Sequence, residues 1–232
     1  QHNFSSLSYQ DFRTLWTASF FAGAAAWALI VARGWLIYEI SDSSLWVGIV
    51  TFTAMFPRVV ITPFSGNLSA RFDRRSVLST MFAINIVHNL ILAVLVLTDN
   101  IQVWHLIALA LVNGSARAAQ MPAAGSLVPN LVPRHLLLNA IALNQLAVHG
   151  SRLLGPAAIA PMMGTIGVEA AFFLCSGFYV VSFVQTLRIK TASTGKMDTR
   201  LGVLGNLLEG IKYVYKTPVL FAVVMLAFLH CG

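Results

Sequence analysis

The chain has 232 residues, of which 57% are hydrophobic and only 10% are charged, and its net charge is +7. Soluble domains carry about 25% charged residues, so this composition excludes an ordinary water-facing surface. A mean hydropathy of +0.76 indicates a lipid environment instead. The positive charge does not indicate nucleic-acid binding, because apolar runs separate the basic residues and no basic face carries aromatic residues arranged to stack on bases.

Long apolar runs predict an all-α integral membrane protein. A bilayer span needs about 20 mostly apolar residues, and lipid offers no partner for unpaired backbone groups, so each run is expected to be a helix. Residues 1–13 precede a predicted six-helix bundle at 14–187. Its helices are expected at 14–38, 45–69, 76–97, 101–123, 136–163 and 168–187. The start of a seventh helix, too short to cross a bilayer, is expected at 218–232.

The longest polar stretch, 188–217, is expected to be a linker between two halves of the fold. Its second part has apolar residues at helical spacing, which predicts an amphipathic helix on the membrane surface. These apolar residues are Leu201, Leu204, Leu208, Ile211 and Tyr215.

Basic residues alternate between the predicted connections. The connections after the first, third and fifth helices contain acidic residues and no Lys or Arg. Those after the second, fourth and sixth helices contain Arg71, Arg74, Arg75, Arg134 and the basic residues of the linker. Because Lys and Arg concentrate in cytoplasmic loops, the second set of connections and the N-terminus are expected to be cytoplasmic.

Four arginines lie inside predicted spans, where an ionisable residue is costly and is a candidate for function. They are Arg33, Arg58, Arg117 and Arg152. No Asp or Glu lies well inside a complete span, and arginine stays protonated, so each guanidinium needs a carbonyl, a water-filled cavity or an anion. Two interpretations stay open for Arg33, namely snorkelling or structural pairing, and contact with a ligand. Arg58 follows Pro57, and its guanidinium has a structural alternative in the carbonyl that this proline frees.

Other polar and small residues within the spans have predicted roles in packing. Interhelical hydrogen bonds are expected from Asn85, Asn89, Asn113, Asn144 and Gln145, of which Asn144 and Gln145 are also candidates for a cavity wall. Two pairs of small residues four apart in the fifth helix allow close helix approach: Ser151 with Gly155, and Ala160 with Gly164. His88 in the third predicted helix and His149 in the fifth are candidates for a change of protonation state, because imidazole is the side chain that ordinarily changes charge near neutral pH; the alternative for each is a hydrogen-bonded core histidine.

Several segments resemble the major facilitator superfamily of transporters. The stretch GNLSARFDRR resembles the loop motif G-x-L-A-D-R-x-G-R-R, with matches at Gly66, Leu68, Arg71, Arg74 and Arg75. Four further segments resemble the transmembrane secretion effector branch, which includes the enterobactin exporter and macrolide efflux pumps. They are RGWLIYEISDSSLWVG, PAAGSLVPNLVP, LLNAIALN and RLLGPA.

The resemblance implies roles for particular residues. The segment RAAQ, Arg117–Gln120, is similar to a fourth-helix motif R-x-x-Q-G whose arginine is tied to proton coupling in antiporters. Gly155 and Pro156 fall in the fifth-helix motif, at which the two halves of the family's fold pack and rock. The acid of the loop motif falls on Ala70, which cannot form the ion pair that helps to latch one conformation, and Asp73 is a possible substitute.

The resemblance therefore implies the N-terminal half of a twelve-helix fold, with its first, second, fourth and fifth helices lining a central cavity. We expect a proton-coupled exporter of small amphiphilic or anionic molecules, such as a siderophore, a drug or a lysolipid, in a bacterial inner membrane. The expected partners are the bilayer, a proton and a C-terminal half. No enzyme activity, cofactor or metal is expected. The alternative is a non-transporting membrane subunit or assembly factor, in keeping with Ala70 and the short seventh helix.

Overall fold

The computed structural model describes residues 5–71 and 73–191, without the side chains at 59 and 62–71. The chain divides into two compact units, 1–195 and 196–232, and all described residues belong to the first. The predicted amphipathic helix and seventh helix lie outside the described residues. The helices of the first unit are α1 (Gln10–Ser41), α2 (Ser44–Arg71), α3 (Arg74–Leu97), α4 (Val103–Leu131), α5 (Leu137–Thr165) and α6 (Val168–Leu187).

The prediction of an all-α bundle of six helices is confirmed, and the described residues form no β-strand. The predicted linker at 188–217 lies largely outside the described residues and stays a prediction. The predicted end of the fourth helix is wrong: α4 continues from Ala123 to Leu131 through Pro129. A proline inside a helix lacks one backbone N–H donor, so it removes only one hydrogen bond to the carbonyl one turn earlier. The buried side chains of Leu127, Val128 and Leu131 offset that loss.

By length and composition, three of the described helices could each cross a membrane: α1, α3 and α6. The helices α4 and α5 have 29 residues each and carry most of the polar residues predicted inside the membrane. Both helices pass without interruption through two prolines, α5 through Pro156 and Pro161.

Helix α1 lies at the centre of the bundle and packs extensively against both α5 and α6. Its buried face repeats every three or four residues, as Leu15, Ala18, Ala22, Ala25, Leu29, Ala32 and Leu36. Small side chains at such positions let neighbouring helices approach closely. The Ser182 hydroxyl of α6 donates to the Ala18 carbonyl at 2.9 Å, which ties these two helices together. Cys175 is a free, buried cysteine in the same interface, as expected for a small apolar side chain.

Helices α3 and α4 are joined by a buried hydrogen bond. The Asn113 side-chain amide donates to Asn85 Oδ1 at 2.6 Å, which confirms the predicted interhelical bond. The Asn89 amide instead donates to the Asn85 carbonyl within α3, so its predicted interhelical role is wrong.

The basic connections meet at one end of the bundle. The Asp11 carboxylate at the start of α1 accepts hydrogen bonds from Thr191 N at 3.0 Å and from the Thr191 hydroxyl. Arg75 at the start of α3 donates to the Leu187 carbonyl at the end of α6, at 2.6 Å. Arg134 lies in the turn between α4 and α5, and the acidic connections lie at the opposite helix ends. The charge asymmetry in the sequence is thus an asymmetry between the two ends of the bundle.

Candidate functional site

Three of the residues predicted to contact a substrate or coupling ion line one cavity of about 260 Å³ between α1, α3, α4 and α5, together with the predicted packing residue Ser151 and the predicted wall residue Gln145. The three are Arg117, Gln120 and Asn144. The other polar lining residues are Ser19, Gln145 and Ser151, and the remaining walls are apolar or aromatic, with Trp27, Phe82 and Met121 among them. Arg117 is the only charged residue among the described residues that line this polar cavity.

Helical spacing explains why these residues meet. Residues three, four and seven apart lie on one face of a helix. Helix α4 presents Arg117, Gln120, Met121 and Ala124 in this pattern. Helix α5 presents Asn144, Gln145, Val148 and Ser151. Each of these helices therefore contributes a single polar face to the cavity.

Arg117 also lines a second, much smaller pocket of about 10 Å³ with Arg33 and Arg58. The remaining lining residues are Ile30, Thr51, Ala54, Met55 and Asn113, so this pocket lies between α1, α2 and α4. We call the three arginines the arginine cluster. Each guanidinium lies within electrostatic range of the other two.

The arginine cluster bears on the question that the sequence left open about Arg33 and Arg58. Arg33 is only 4% exposed, so it does not snorkel to an interface. Arg33 Nη1 and Arg58 Nε are buried and have no hydrogen-bond partner among the described residues. None of the hydrogen bonds within the described residues joins Arg58 to the carbonyl that Pro57 frees, and the structural interpretation of Arg58 stays a prediction.

Arg152 does not join the arginine cluster. Its guanidinium lies over the Trp27 ring, 4.3 Å from the ring centroid, and the side chain is exposed. This cation–π contact joins α5 to α1 at a residue that also lines the polar cavity.

The small residues of α5 fall into two groups. Ser151 and Gly155 are buried against α1: a Cβ at Gly155 would meet the Ala24 carbonyl, and one at Gly23 would meet the Ser151 hydroxyl. The pair Ala160 and Gly164 is exposed, and a Cβ at Gly164 would meet no atom within 4 Å. The described contact of Ser151 and Gly155 is thus internal to this bundle, whereas the second pair is open.

The loop motif between α2 and α3 has a local structural role. Asp73 is the N-cap of α3 and accepts from Ser76 N at 3.2 Å and from the Ser76 hydroxyl at 3.1 Å. Arg74 Nη1 donates to the Ser126 carbonyl of α4 at 2.7 Å. The other motif residues, Gly66, Leu68, Ala70 and Arg71, lie in the part of α2 whose side chains are not described.

Two residues at this site were not predicted from the sequence. Ser19 lines the polar cavity, and its position one turn before Gly23 and two turns before Trp27 is the signal that would have identified it. Tyr179 of α6 is fully buried, and its hydroxyl lies within electrostatic range of all three arginines of the cluster. No periodicity in α6 indicates that contact, because Tyr179 packs like any core aromatic residue.

The described residues contain no group of three His, Cys, Asp or Glu that could hold a metal ion. The two candidate histidines lie in different environments, since His88 is buried in α3 and His149 is exposed on α5. What the arrangement offers chemically is a set of hydrogen-bond donors and acceptors, a cation and apolar walls. This combination is suited to binding an organic molecule with a negative or polar group.

Comparison with known proteins agrees with this architecture. The profile of a family described as transmembrane secretion effector matches residues 1–231. An uncharacterised MFS-type transporter, YfiS of Bacillus subtilis, is 22% identical over 187 residues, which are 79% of this chain and 44% of that protein. The multidrug efflux pump Tap of Mycolicibacterium fortuitum is 26% identical over 211 residues, 88% of this chain and 52% of that protein. The chain spans about half the length of these curated relatives.

The family match covers nearly the whole chain, and the apolar helices have the length that a bilayer requires. The chain is therefore a multi-pass membrane protein and belongs to the transmembrane secretion effector family of the major facilitator superfamily.

Proposed function

We propose that the chain is the N-terminal half of a secondary exporter that moves small amphiphilic or anionic molecules by alternating access. The observation that carries this proposal is the polar cavity, where Arg117 is the one charged group among the described lining residues. Buried charges attract ligands of opposite sign, and apolar walls favour molecules with an apolar body. The printed name of one relative, a multidrug efflux pump, supports export of such molecules.

A second half would complete the cavity and provide the surface that rocks against this one. The exposed face of α5 supports this arrangement, because its apolar side chains include Leu138, Leu146, Leu153 and Leu154, which are between 56% and 83% exposed. Ala160 and Gly164 on the same helix leave room for close helix approach.

Proton coupling belongs to the same proposal. All six described carboxylates lie at helix ends or in connections, so none of them is placed to carry a proton through the bundle. They are Asp11, Glu39, Asp42, Asp73, Asp99 and Glu169. We assign the proton carrier to a histidine or to a group in the second half, with Arg117 setting the local positive potential.

We also propose a bacterial inner membrane with the basic end of the bundle in the cytoplasm, because Arg74, Arg75 and Arg134 meet at that end. Labelling of a single cysteine at Arg134 with an impermeant reagent tests this orientation. Labelling in inverted vesicles but not in intact cells is expected, and the reverse pattern would contradict it.

The test of the transport proposal uses inverted membrane vesicles that contain the full-length protein and an imposed pH gradient. Carboxyfluorescein serves as an amphiphilic anion and ethidium as a cation. We expect gradient-dependent uptake of carboxyfluorescein and a decrease of at least about tenfold in Arg117→Gln, the loss expected for one hydrogen bond to a charged group. The matched control is Arg134→Gln, which removes an exposed arginine and keeps wild-type uptake.

A second candidate function is a non-transporting membrane subunit, favoured by Ala70 in place of the motif acid. This candidate predicts stable association with a larger complex and no gradient-dependent flux of either probe. Uptake of ethidium alone, with Arg117→Gln unaffected, would instead refute the anionic substrate and leave transport intact.

A further inference from the structure

We propose that the arginine cluster, Arg33, Arg58 and Arg117, is a binding site for one small anion, held between α1, α2 and α4. The site is separate from the polar cavity, although Arg117 borders both. It does not rest on the transport proposal, because it follows from unpaired charge within the bundle.

The arginine cluster carries charge without compensation. Three guanidinium groups border one pocket of about 10 Å³, and arginine does not lose its proton in proteins. The six described carboxylates all lie near helix ends, so none of them compensates the cluster. Like charges in a poorly solvated interior repel strongly, and buried charges in proteins are paired or bind an ion.

Buried donors without an acceptor also accompany the cluster. Arg33 Nη1, Arg58 Nε and the Tyr179 hydroxyl are all buried and lack a hydrogen-bond partner among the described residues. Buried polar groups are nearly always satisfied, so unsatisfied donors grouped around three positive charges require an explanation. A single anion within reach of the guanidinium groups accepts from them and screens their mutual repulsion.

The size of the pocket limits the anion. A volume of about 10 Å³ corresponds to roughly one water-sized sphere. The pocket therefore has room for one acceptor atom, such as a single oxygen of a carboxylate. A halide ion is larger than water, so it fits only if the three guanidinium groups move slightly apart around it. Asn113 also lines the pocket, but its side-chain amide donates to Asn85. We therefore assign Asn113 to the pocket wall and not to the set of anion donors. A halide ion and a carboxylate share the chemistry that this pocket requires: each is a monovalent anion that can present one acceptor atom.

The test measures equilibrium binding of radioactive chloride to the purified full-length protein in detergent, with gluconate holding the ionic strength constant. We expect saturable binding of about one ion per chain and a decrease in affinity of at least about tenfold in Arg33→Met and in Arg58→Met. The matched control is Arg134→Met, which removes the same charge from an exposed turn and leaves binding unchanged.

Competition distinguishes the two sources of the anion. Displacement by bromide but not by acetate identifies a halide site, and equal displacement by acetate identifies a site for a carboxylate oxygen. Chloride should also raise the melting temperature of the wild type relative to gluconate, whereas Arg33→Met should show no such difference. If Arg33→Met does not give a monodisperse protein, Arg58→Met, whose side chain is only half-buried, provides the same comparison.

The proposal is overturned if chloride shows no saturable binding, or if Arg33→Met and Arg58→Met bind it as the wild type does. Neither result bears on the transport proposal, whose test concerns uptake through the polar cavity.

Discussion

The contact between α1 and α5 at Gly155 permits a sharp test of the packing around the polar cavity. A Cβ at Gly155 would meet the Ala24 carbonyl oxygen, with Ala24 C at 3.0 Å and Ala24 Cα at 3.1 Å. These are backbone atoms, so no side-chain rotation relieves the clash. Gly155→Ala must therefore separate the two helices.

The expected loss follows from two opposing effects. Overpacking a tight contact costs about 1–3 kcal/mol, and a rigid backbone neighbour places this site at the upper end. Replacing glycine by alanine within a helix stabilises by roughly 0.5–1 kcal/mol. The net destabilisation of Gly155→Ala is then about 2 kcal/mol, which corresponds to a decrease of roughly 4–8 °C in melting temperature for a domain of this size.

Gly164→Ala is the matched control, because it makes the same change in α5 where a Cβ would meet nothing within 4 Å. The assay is reversible unfolding of the purified protein in mixed micelles, followed by tryptophan fluorescence. The expected order of stability is Gly164→Ala at or above the wild type and Gly155→Ala below both. Equal stabilities for the two variants would refute the close approach of α1 and α5.

Three further predictions concern single contacts. Asp73→Ala should lower the unfolding free energy by about 1 kcal/mol through loss of the N-cap of α3, whereas Asp73→Asn should retain the cap and the stability. A decrease in transport by Asp73→Asn at unchanged stability would assign Asp73 a gating role as well. A double-mutant cycle between Asn85 and Asn113 should give a coupling of about 0.6 kcal/mol, up to about 1.7, and zero coupling would contradict their hydrogen bond. The cycle of Trp27→Leu with Arg152→Met should give about 0.5–1 kcal/mol, the value for an exposed cation–π pair, and additive effects would argue against that pair.

The sequence predicts the helical fold well because lipid imposes one rule on every segment. Each apolar run must satisfy its own backbone groups, so six runs become six helices. The predicted range 168–187 coincides with α6, because polar or glycine residues adjoin this apolar run at both ends. The end of α4 is missed, because PAAGSLVPN contains two prolines and a glycine, while burial of Leu127 and Leu131 depends on neighbours distant in sequence.

The candidate site is only partly readable from the sequence. Polarity within a span identifies Arg117 and Asn144, the resemblance to the fourth-helix motif adds Gln120, and the structure brings these three to one cavity. Polarity alone cannot separate Arg152, which lies on Trp27, from Arg33, which lies in the arginine cluster. That distinction depends on which helices are neighbours, and helix adjacency follows from packing rather than from the composition of one helix.

Export through the polar cavity is tested by measuring flux through the purified full-length protein alone in proteoliposomes. Carboxyfluorescein is trapped inside, a pH gradient is imposed, and release is compared between the wild type, Arg117→Gln and Arg134→Gln. An exporter that uses the polar cavity predicts gradient-dependent release by the wild type and Arg134→Gln, with Arg117→Gln slower by at least about tenfold. If neither carboxyfluorescein nor ethidium moves in response to the gradient, while the protein is monodisperse and copurifies from its native membrane with a larger complex, the exporter proposal is contradicted and the chain belongs to a non-transporting subunit.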